Sequence, residues 1–273
     1  MKVIAVVGRL RAPDLPRCLQ KVHDIAKDRA VFSRDLKGLL PDGVKIVENQ
    51  RLREEADVFL ALGGDGTFLR TARWADGKPV AGVNLGHLGF LTVYSVEELE
   101  QLLQRLLGND YTVEERMRLQ VEHNSDFDRA LNDVCLSATS ARTLHIEVFV
   151  DGEPTMKYRG DGLIISTPTG STAYNLAAGG PILYPSSGVM VITPICAHSL
   201  GIRPLVVPRE TVLQVKVESR GEPMVLSADG RQSFLLEPKD EFVVKENPTV
   251  ARFVRTDFAP DFFEVLSKKL EWG

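Results

Sequence analysis

Residues 59 to 70 read FLALGGDGTFLR, an apolar run that ends in two glycines, an aspartate, a third glycine and a threonine. A strand, a glycine turn and a helix start in that order expose backbone N–H groups at a helix N-terminus, a ready site for phosphate. Glycines there permit positive φ and let the backbone approach a ligand closely. Asp65 has two readings on this pattern. It is either the N-cap of the helix, a role aspartate favours, or a carboxylate aimed at a phosphoryl-transfer centre. The GxxxxGK[ST] of a P-loop and the GxGxxG of a dinucleotide fold are both absent, because VVGRLRAP after the first apolar run holds a single glycine. Phosphate binding here requires a different glycine constellation.

Two other segments combine polar groups at suggestive spacing. YRGDGLIISTPTGSTAYNLAAGGPI, residues 158 to 182, places Thr167, Thr169, Ser171 and Thr172 ahead of Tyr174. That density of hydroxyls suits directed hydrogen bonds to a polar ligand, with the tyrosine ring as a flat surface for a base; a hydroxyl-rich loop capping a helix is the alternative. In LNDVCL, Asn132 and Asp133 interrupt an apolar strand. A buried amide beside a buried carboxylate needs partners, which a sugar diol and an amide would supply, although a β-bulge or an edge turn accounts for the pair equally well. His87 in LGHLGF and His198 in ICAHSLG are expected to make structural hydrogen bonds.

The elements that must position these residues fall into two halves. Within the first hundred residues the runs KVIAVVG, VKIV, DVFLALG and PVAGVN alternate with helical patterns, which predicts strand-helix-strand units around a parallel sheet. Continuous hydrophobicity in such strands is expected when helices cover both faces. After Tyr94, Ser95 and Glu98 have capping-box spacing, Val96, Leu99, Leu102, Leu103, Leu106 and Leu107 share a face, and Gly108 is the expected stop. From 111 onward YTVEERMRLQVEH, RALNDVCLSAT, TLHIEVFVDGE, TVLQVKVES and EFVVKE read as strands of an antiparallel, β-sandwich-like domain. The closing DFAPDFFEVLSKKLEWG is an amphipathic helix whose Phe258, Phe262, Phe263, Val265 and Leu266 need a surface to cover. The predicted division is a 1–110 α/β domain completed by residues 255–273, and a 111–254 β-rich domain.

Composition narrows the class of partner. The 273 residues are 44% hydrophobic, enough for a sizeable core, and a net charge of −4 offers no broad attraction for nucleic acid or an anionic membrane. Cys18, Cys135 and Cys196 are odd in number and widely spaced, which fits a reducing cytoplasm better than a disulfide framework. The opening MKVIAVVG reads as a strand, not a signal segment. The most apolar long window, residues 189 to 208, contains His198, Arg203 and prolines, so a membrane span is not expected.

With those segments in hand, the chain resembles the NAD kinase family. The resemblance rests on GGDGT at 63–67, NLGHLGF at 84–90, Asn132-Asp133 where the family usually has Asn-Glu, DGLIISTPTGSTAYNLAAGGPI at 161–182, and TPICAHSLGIRPLV at 193–206. It implies transfer of the terminal phosphoryl group of ATP, or of polyphosphate, to the adenosine ribose 2′-hydroxyl of NAD. By the same resemblance Asp65 is the catalytic residue, and Gly66, Arg70, Asn132, Asp133, Arg159, Asp161, Thr172, Ala173, Tyr174 and Ala177 belong to the NAD site. Gly63, Gly64 and Thr67 belong to the phosphate donor. Mg2+ is implied as a companion of the donor phosphates and water, since it keeps several waters and binds few carboxylates; no all-protein metal cage is expected. A homodimer or homotetramer is implied as well. Asp133 is one methylene shorter than the usual Glu, and Ala177 stands where many members have serine. Asp229 and Arg231 in SADGRQ match a ligand-adjacent turn, with Arg231 where many members carry glutamine. GGDGT is shared with diacylglycerol and sphingosine kinases, so a lipid kinase is a rival reading, and a non-catalytic NAD sensor is another; TPTGSTAY speaks against the first.

Overall fold

The computed structural model describes residues 2–140, 143–219 and 221–272. They form two compact units, Met1–Glu115 with Ala251–Gly273, and Arg116–Val250.

In the first unit the strands are β1 (Ile4–Gly8), β2 (Ala30–Ser33), β3 (Ile46–Val47), β4 (Val58–Gly63), β5 (Pro79–Asn84) and β6 (Thr112–Arg116), joined by the far-distant β19 (Ala251–Arg255). They lie in the order β3-β2-β1-β4-β5-β19-β6. The pairs β1–β2, β2–β3, β1–β4, β4–β5 and β5–β19 are parallel, as the alternating pattern predicts. The sequence prediction omits β2, whose four apolar-to-small residues lie between charged neighbours and are too few to display a period. Because β1 is flanked by β2 on one side and β4 on the other, strand order reverses there, and the crevice beyond the carboxyl ends of β1 and β4 is where such sheets take ligands.

Helices α1 (Leu15–Ala26) and α4 (Leu99–Gly108) supply Leu15, Leu19, Val22, Leu102, Leu103 and Leu106 to one buried cluster with Ile4, Val6, Leu60, Leu62 and Val83. Helix α2 (Leu52–Glu55) is a single turn, and α3 (Asp65–Ala75) packs on β4 and β5. The Ser95–Glu98 box forms, with Ser95 N–H donating to Glu98 Oε2 at 2.7 Å, but it closes a turn that precedes α4 and does not cap the helix itself. Gly108 is the last helical residue, and the stop is Asn109, held left-handed at φ 57; asparagine tolerates that region well enough to replace glycine.

The second unit holds two six-stranded sheets. One has the order β11 (Glu153–Gly160), β10 (Leu144–Val150), β15 (Leu213–Glu218), β18 (Glu241–Glu246), β7 (Leu119–His123), β8 (Asp126–Ala130). The other runs β14 (Leu205–Pro208), β13 (Val189–Ile195), β12 (Gly162–Ser166), β9 (Asp133–Ala138), β16 (Met224–Ala228), β17 (Arg231–Leu236). Ile146, Val148, Val215 and Val244 of the first sheet share one core with Leu136, Leu163, Ile192 and Leu226 of the second, the sandwich that strand alternation predicts. The run YTVEERMRLQVEH, read as one strand, divides into β6 of the first unit and β7 of the second. A short helix α5 (Tyr174–Ala177) follows the hydroxyl-rich loop, and α6 (Phe262–Leu270) ends the chain. Of the apolar residues near and in α6, Val265 and Leu266 are buried and Phe258 meets Tyr94 edge-on, but Phe263 stays 63% exposed.

Candidate active site

In the first unit, the GGDGT turn joins β4 to α3 at the carboxyl edge of the sheet. Asp65 is the first residue of α3, Gly64 takes the N-cap position, and no side chain caps the helix. The capping reading of Asp65 is therefore wrong. Its carboxylate turns instead to the loop after β5: Oδ2 accepts from Phe90 N–H at 2.8 Å, while Oδ1 accepts from Leu91 N–H at 2.9 Å, Thr92 N–H at 3.0 Å and Thr92 Oγ1 at 3.1 Å. Three donors occupy Oδ1, whereas Oδ2 holds one and keeps a lone pair for a further donor. The glycines of the turn also differ from expectation, because none of Gly63, Gly64 and Gly66 has positive φ. Gly63 is required by packing, since a Cβ there would overlap the Thr67 side chain; Gly64 and Gly66 border open space. Of the first-turn amides of α3, Thr67 N–H donates to the Gly64 carbonyl at 2.9 Å, whereas those of Asp65 and Gly66 have no carbonyl behind them in the helix. Thr67 is 9% exposed against Gly63.

The NLGHLGF segment is the scaffold of this arrangement. Asn84, at the end of β5, accepts from Gly86 N–H at 2.7 Å and donates to Thr92 Oγ1 at 3.0 Å and to the His87 carbonyl. Gly89 has no room for a side chain, because its Cβ would fall on Asp65 Oδ1. Thr92 and the amides of 90 to 92 escaped sequence reasoning; the only signal was the fixed glycine spacing of the loop that carries them. Arg70 lies on α3 with its guanidinium donating to the Gly8 carbonyl at 2.9 Å, 3.8 Å from an Asp35 oxygen and 5.2 Å from the Trp74 ring centre. That places it at the strand-order reversal and leaves its buried Nε without a partner among the described residues. The His87 side chain is exposed and makes no hydrogen bond among the described residues, so its expected structural bond is not formed.

In the second unit, Leu131 and Asn132 form a bend that feeds β9, and Asp133 is the first residue of that strand. Asn132 is 9% exposed and Asp133 6%. Asn132 Oδ1 is buried and has no partner among the described residues, and the Asp133 carboxyl is pushed up to about 7, first by burial and then by the neighbouring Asp229. The TPTGSTAY loop is spent differently from the prediction. Thr167 Oγ1 donates to the Leu131 carbonyl at 2.6 Å, Ser171 Oγ to the Pro168 carbonyl at 2.7 Å, and Thr169 accepts from buried Arg116 at 3.2 Å. Those hydroxyls are consumed in building the loop, which buries them. Gly170 lies so close to the Asn132 backbone that a Cβ would overlap it. What the loop presents outward is Thr172, Ala173, Tyr174 (48% exposed) and Ala177.

Arg159 and Asp161 are exposed at the junction of β11 and β12. Asp161 N–H donates to the Ile195 carbonyl at 3.0 Å, and the Cys196 thiol, whose pKa is raised first by its hydrogen bond with Asp161, lies beside it. His198 is tied to the Arg159 carbonyl only through its backbone N–H at 2.8 Å; its ring is exposed and makes no hydrogen bond among the described residues. Arg231 pairs with Asp128.

A parallel sheet with a glycine turn at its order reversal, followed by a β-sandwich with a buried Asn-Asp pair, defines an α/β-plus-β nucleotide-binding protein. Residues 16–111 match the model of the ATP-NAD kinase N-terminal domain and residues 131–256 that of the ATP-NAD kinase C-terminal domain. A NAD kinase of Syntrophobacter fumaroxidans is 39% identical across 100% of this chain and 99% of its own length. A NAD kinase of Methanothermobacter thermautotrophicus is 37% identical across 92% and 94%. Among solved structures, a NAD kinase from Archaeoglobus fulgidus in complex with ATP aligns with TM-score 0.78 at 25% identity, covering 98% of this chain and 99% of that one. A yeast NADH kinase complexed with NADH shares the fold, with TM-score 0.91 at 24% identity over 100% and 88%. The chain belongs to the NAD kinase family.

Proposed function

We propose that this chain catalyses transfer of the terminal phosphoryl group of ATP to the 2′-hydroxyl of the adenosine ribose of NAD, giving NADP and ADP. The observation that carries the reading is Asp65, fixed by three loop amides and a hydroxyl beside the open first turn of α3. In the reaction the ribose oxygen forms a bond to the γ-phosphorus, the bond from that phosphorus to the bridging oxygen breaks, and the hydroxyl proton passes to Asp65. Oδ2, with its spare lone pair, is the acceptor. A loose transition state asks little of a base beyond position, so a carboxylate suffices. The amides at Gly63 and Gly64, with Thr67, take the donor phosphates. The residues assigned to NAD are Gly66 and Arg70 in the first unit and Asn132, Asp133, Arg159, Asp161, Thr172, Ala173, Tyr174 and Ala177 in the second. Mg2+ enters as part of the ATP complex, held by phosphate and water; among the described residues no three His, Cys, Asp or Glu are grouped to hold a metal.

Polyphosphate is the alternative donor. The free cysteines at 18, 135 and 196 support a cytoplasmic setting, and no helix among the described residues is long and apolar enough to cross a membrane. Assembly as a homodimer or homotetramer follows the family. The decisive assay supplies NAD with ATP and with polyphosphate separately and measures NADP. Asp65→Asn and Asp65→Ala are expected to lower turnover with ATP by roughly 10²- to 10⁴-fold, with circular dichroism unchanged. Full activity in both variants refutes the role of Asp65, and NAD binding without turnover in the parent protein makes the chain a sensor.

A further inference from the structure

We propose that Asp229 is a positioning residue that sets the direction of the Asn132 and Asp133 side chains; this rests on the reading of that pair as part of the NAD site. Asp229 and Gly230 occupy the turn between β16 and β17 with φ of 52° and 72°, the two successive left-handed residues of a tight hairpin. Since β16 pairs with β9 up to Ala228 opposite Val134, the turn arrives beside residues 131 to 133.

There the Asp229 carboxylate meets three consecutive amides. Oδ1 accepts from Asn132 N–H at 2.7 Å, from Leu131 N–H at 3.0 Å and from Asp133 N–H at 3.4 Å, and Oδ2 accepts from Leu131 N–H at 2.9 Å. In return the Asp229 N–H donates to the Asp133 carbonyl at 3.0 Å. Successive amides converging on one side make an anion-binding concavity, and here the anion comes from the chain itself. The carbonyls of the same bend are held from the opposite direction. Thr167 N–H and Ser166 Oγ donate to the Asn132 carbonyl at 2.9 and 3.2 Å, and Thr167 Oγ1 donates to that of Leu131.

The backbone of the bend is thus satisfied on both sides, and only its side chains are left to meet a ligand. Asn132 Oδ1 is the evidence that they do: a buried acceptor with no partner among the described residues awaits a donor from elsewhere. Asp229 itself does not touch NAD in this scheme. It acts by fixing the amides from which the two ligand-facing side chains spring.

The test is a graded series read by titration calorimetry with NAD. Asp229→Asn keeps one acceptor oxygen and tolerates the left-handed backbone; it is expected to weaken NAD binding two- to fivefold. Asp229→Gly keeps the backbone conformation and removes the carboxylate, and it is expected to weaken binding tenfold or more. In turnover assays the KM for NAD rises in the same order, while the KM for ATP stays within twofold and kcat within threefold. Flat NAD affinity across the series overturns the proposal, and so does a parallel rise in the KM for ATP. If Asp229→Gly does not fold, the Asn step decides alone, with unchanged NAD affinity counting against the role. A parent protein that binds NAD but forms no NADP contradicts the proposed function only; one that binds no NAD overturns both.

Discussion

Asp133 shows what burial does to a single residue. Its carboxyl, close to Asp229, titrates near 7 in the folded chain against about 3.9 in an unfolded one. The native state therefore holds a proton between pH 4 and 7 that the unfolded state has released. Linkage fixes the sign: this group's contribution to stability is intact at low pH, falls as pH rises through that window, and levels off above 7. Replacing the carboxyl by an amide removes the penalty, so Asp133→Asn should raise the thermal midpoint at pH 8 by more than at pH 5. The gap corresponds to on the order of 3 kcal/mol, and equal shifts at both values would show that the Asp133 charge is not buried. At this scale the sequence was legible in residue identity and silent on partners. GGDGT pointed to Asp65 without revealing that its carboxylate reaches 25 to 27 residues along the chain to the amides of 90 to 92. Thr167, Thr169 and Ser171 of TPTGSTAY looked free for a ligand because the motif alone does not show that the Leu131 carbonyl, Arg116 and the Pro168 carbonyl already engage them.

At the scale of elements, the loop from Asn84 to Thr92 matters more than its irregular appearance in sequence suggests. Asn84 shapes it, and among the described residues its far end supplies the side-chain acceptor bonds of Asp65. Gly89 is the position where loop and carboxylate are too close for a Cβ, and the added atom of Gly89→Ala falls on Asp65 Oδ1 and near Thr92 Oγ1. Since a displacement of about 1 Å costs roughly 10²-fold in rate, Gly89→Ala should lower kcat about a hundredfold while NAD affinity by calorimetry changes less than threefold. Wild-type kcat in that variant would mean that the clamp does not orient Asp65 as the proposed base. The periodic elements were the readable ones: β1, β4, β5 and α4 declare themselves through continuous or one-faced hydrophobicity. Strand β2 did not, because four residues bounded by Arg29 and Arg34 carry no period and gain their place only from pairing with β1 and β3.

For the whole molecule, the first unit is completed by a segment that returns after residue 250. Strand β19 joins β5 in parallel register, with Phe253 beside Val80, and the Phe253 ring meets Phe68 of α3 edge-on at 4.7 Å. The helix that begins with Asp65 therefore rests on a side chain from the far end of the sequence. Periodicity cannot announce a contact of that kind, although the amphipathic tail predicted that the terminus needed a surface. Phe253 is 3% exposed, and Phe253→Ala leaves a cavity under α3 at a cost of about 3–5 kcal/mol, equivalent to a fall in thermal midpoint of roughly 10 °C for a chain of this size. Phe263→Ala is the matched control, since a ring 63% exposed on α6 has little burial to lose and should shift the midpoint by no more than about 2 °C. If the two variants melt together near the parent value, β19 does not support α3; if only Phe253→Ala melts early, the helix that begins with Asp65 depends on a strand from beyond residue 250.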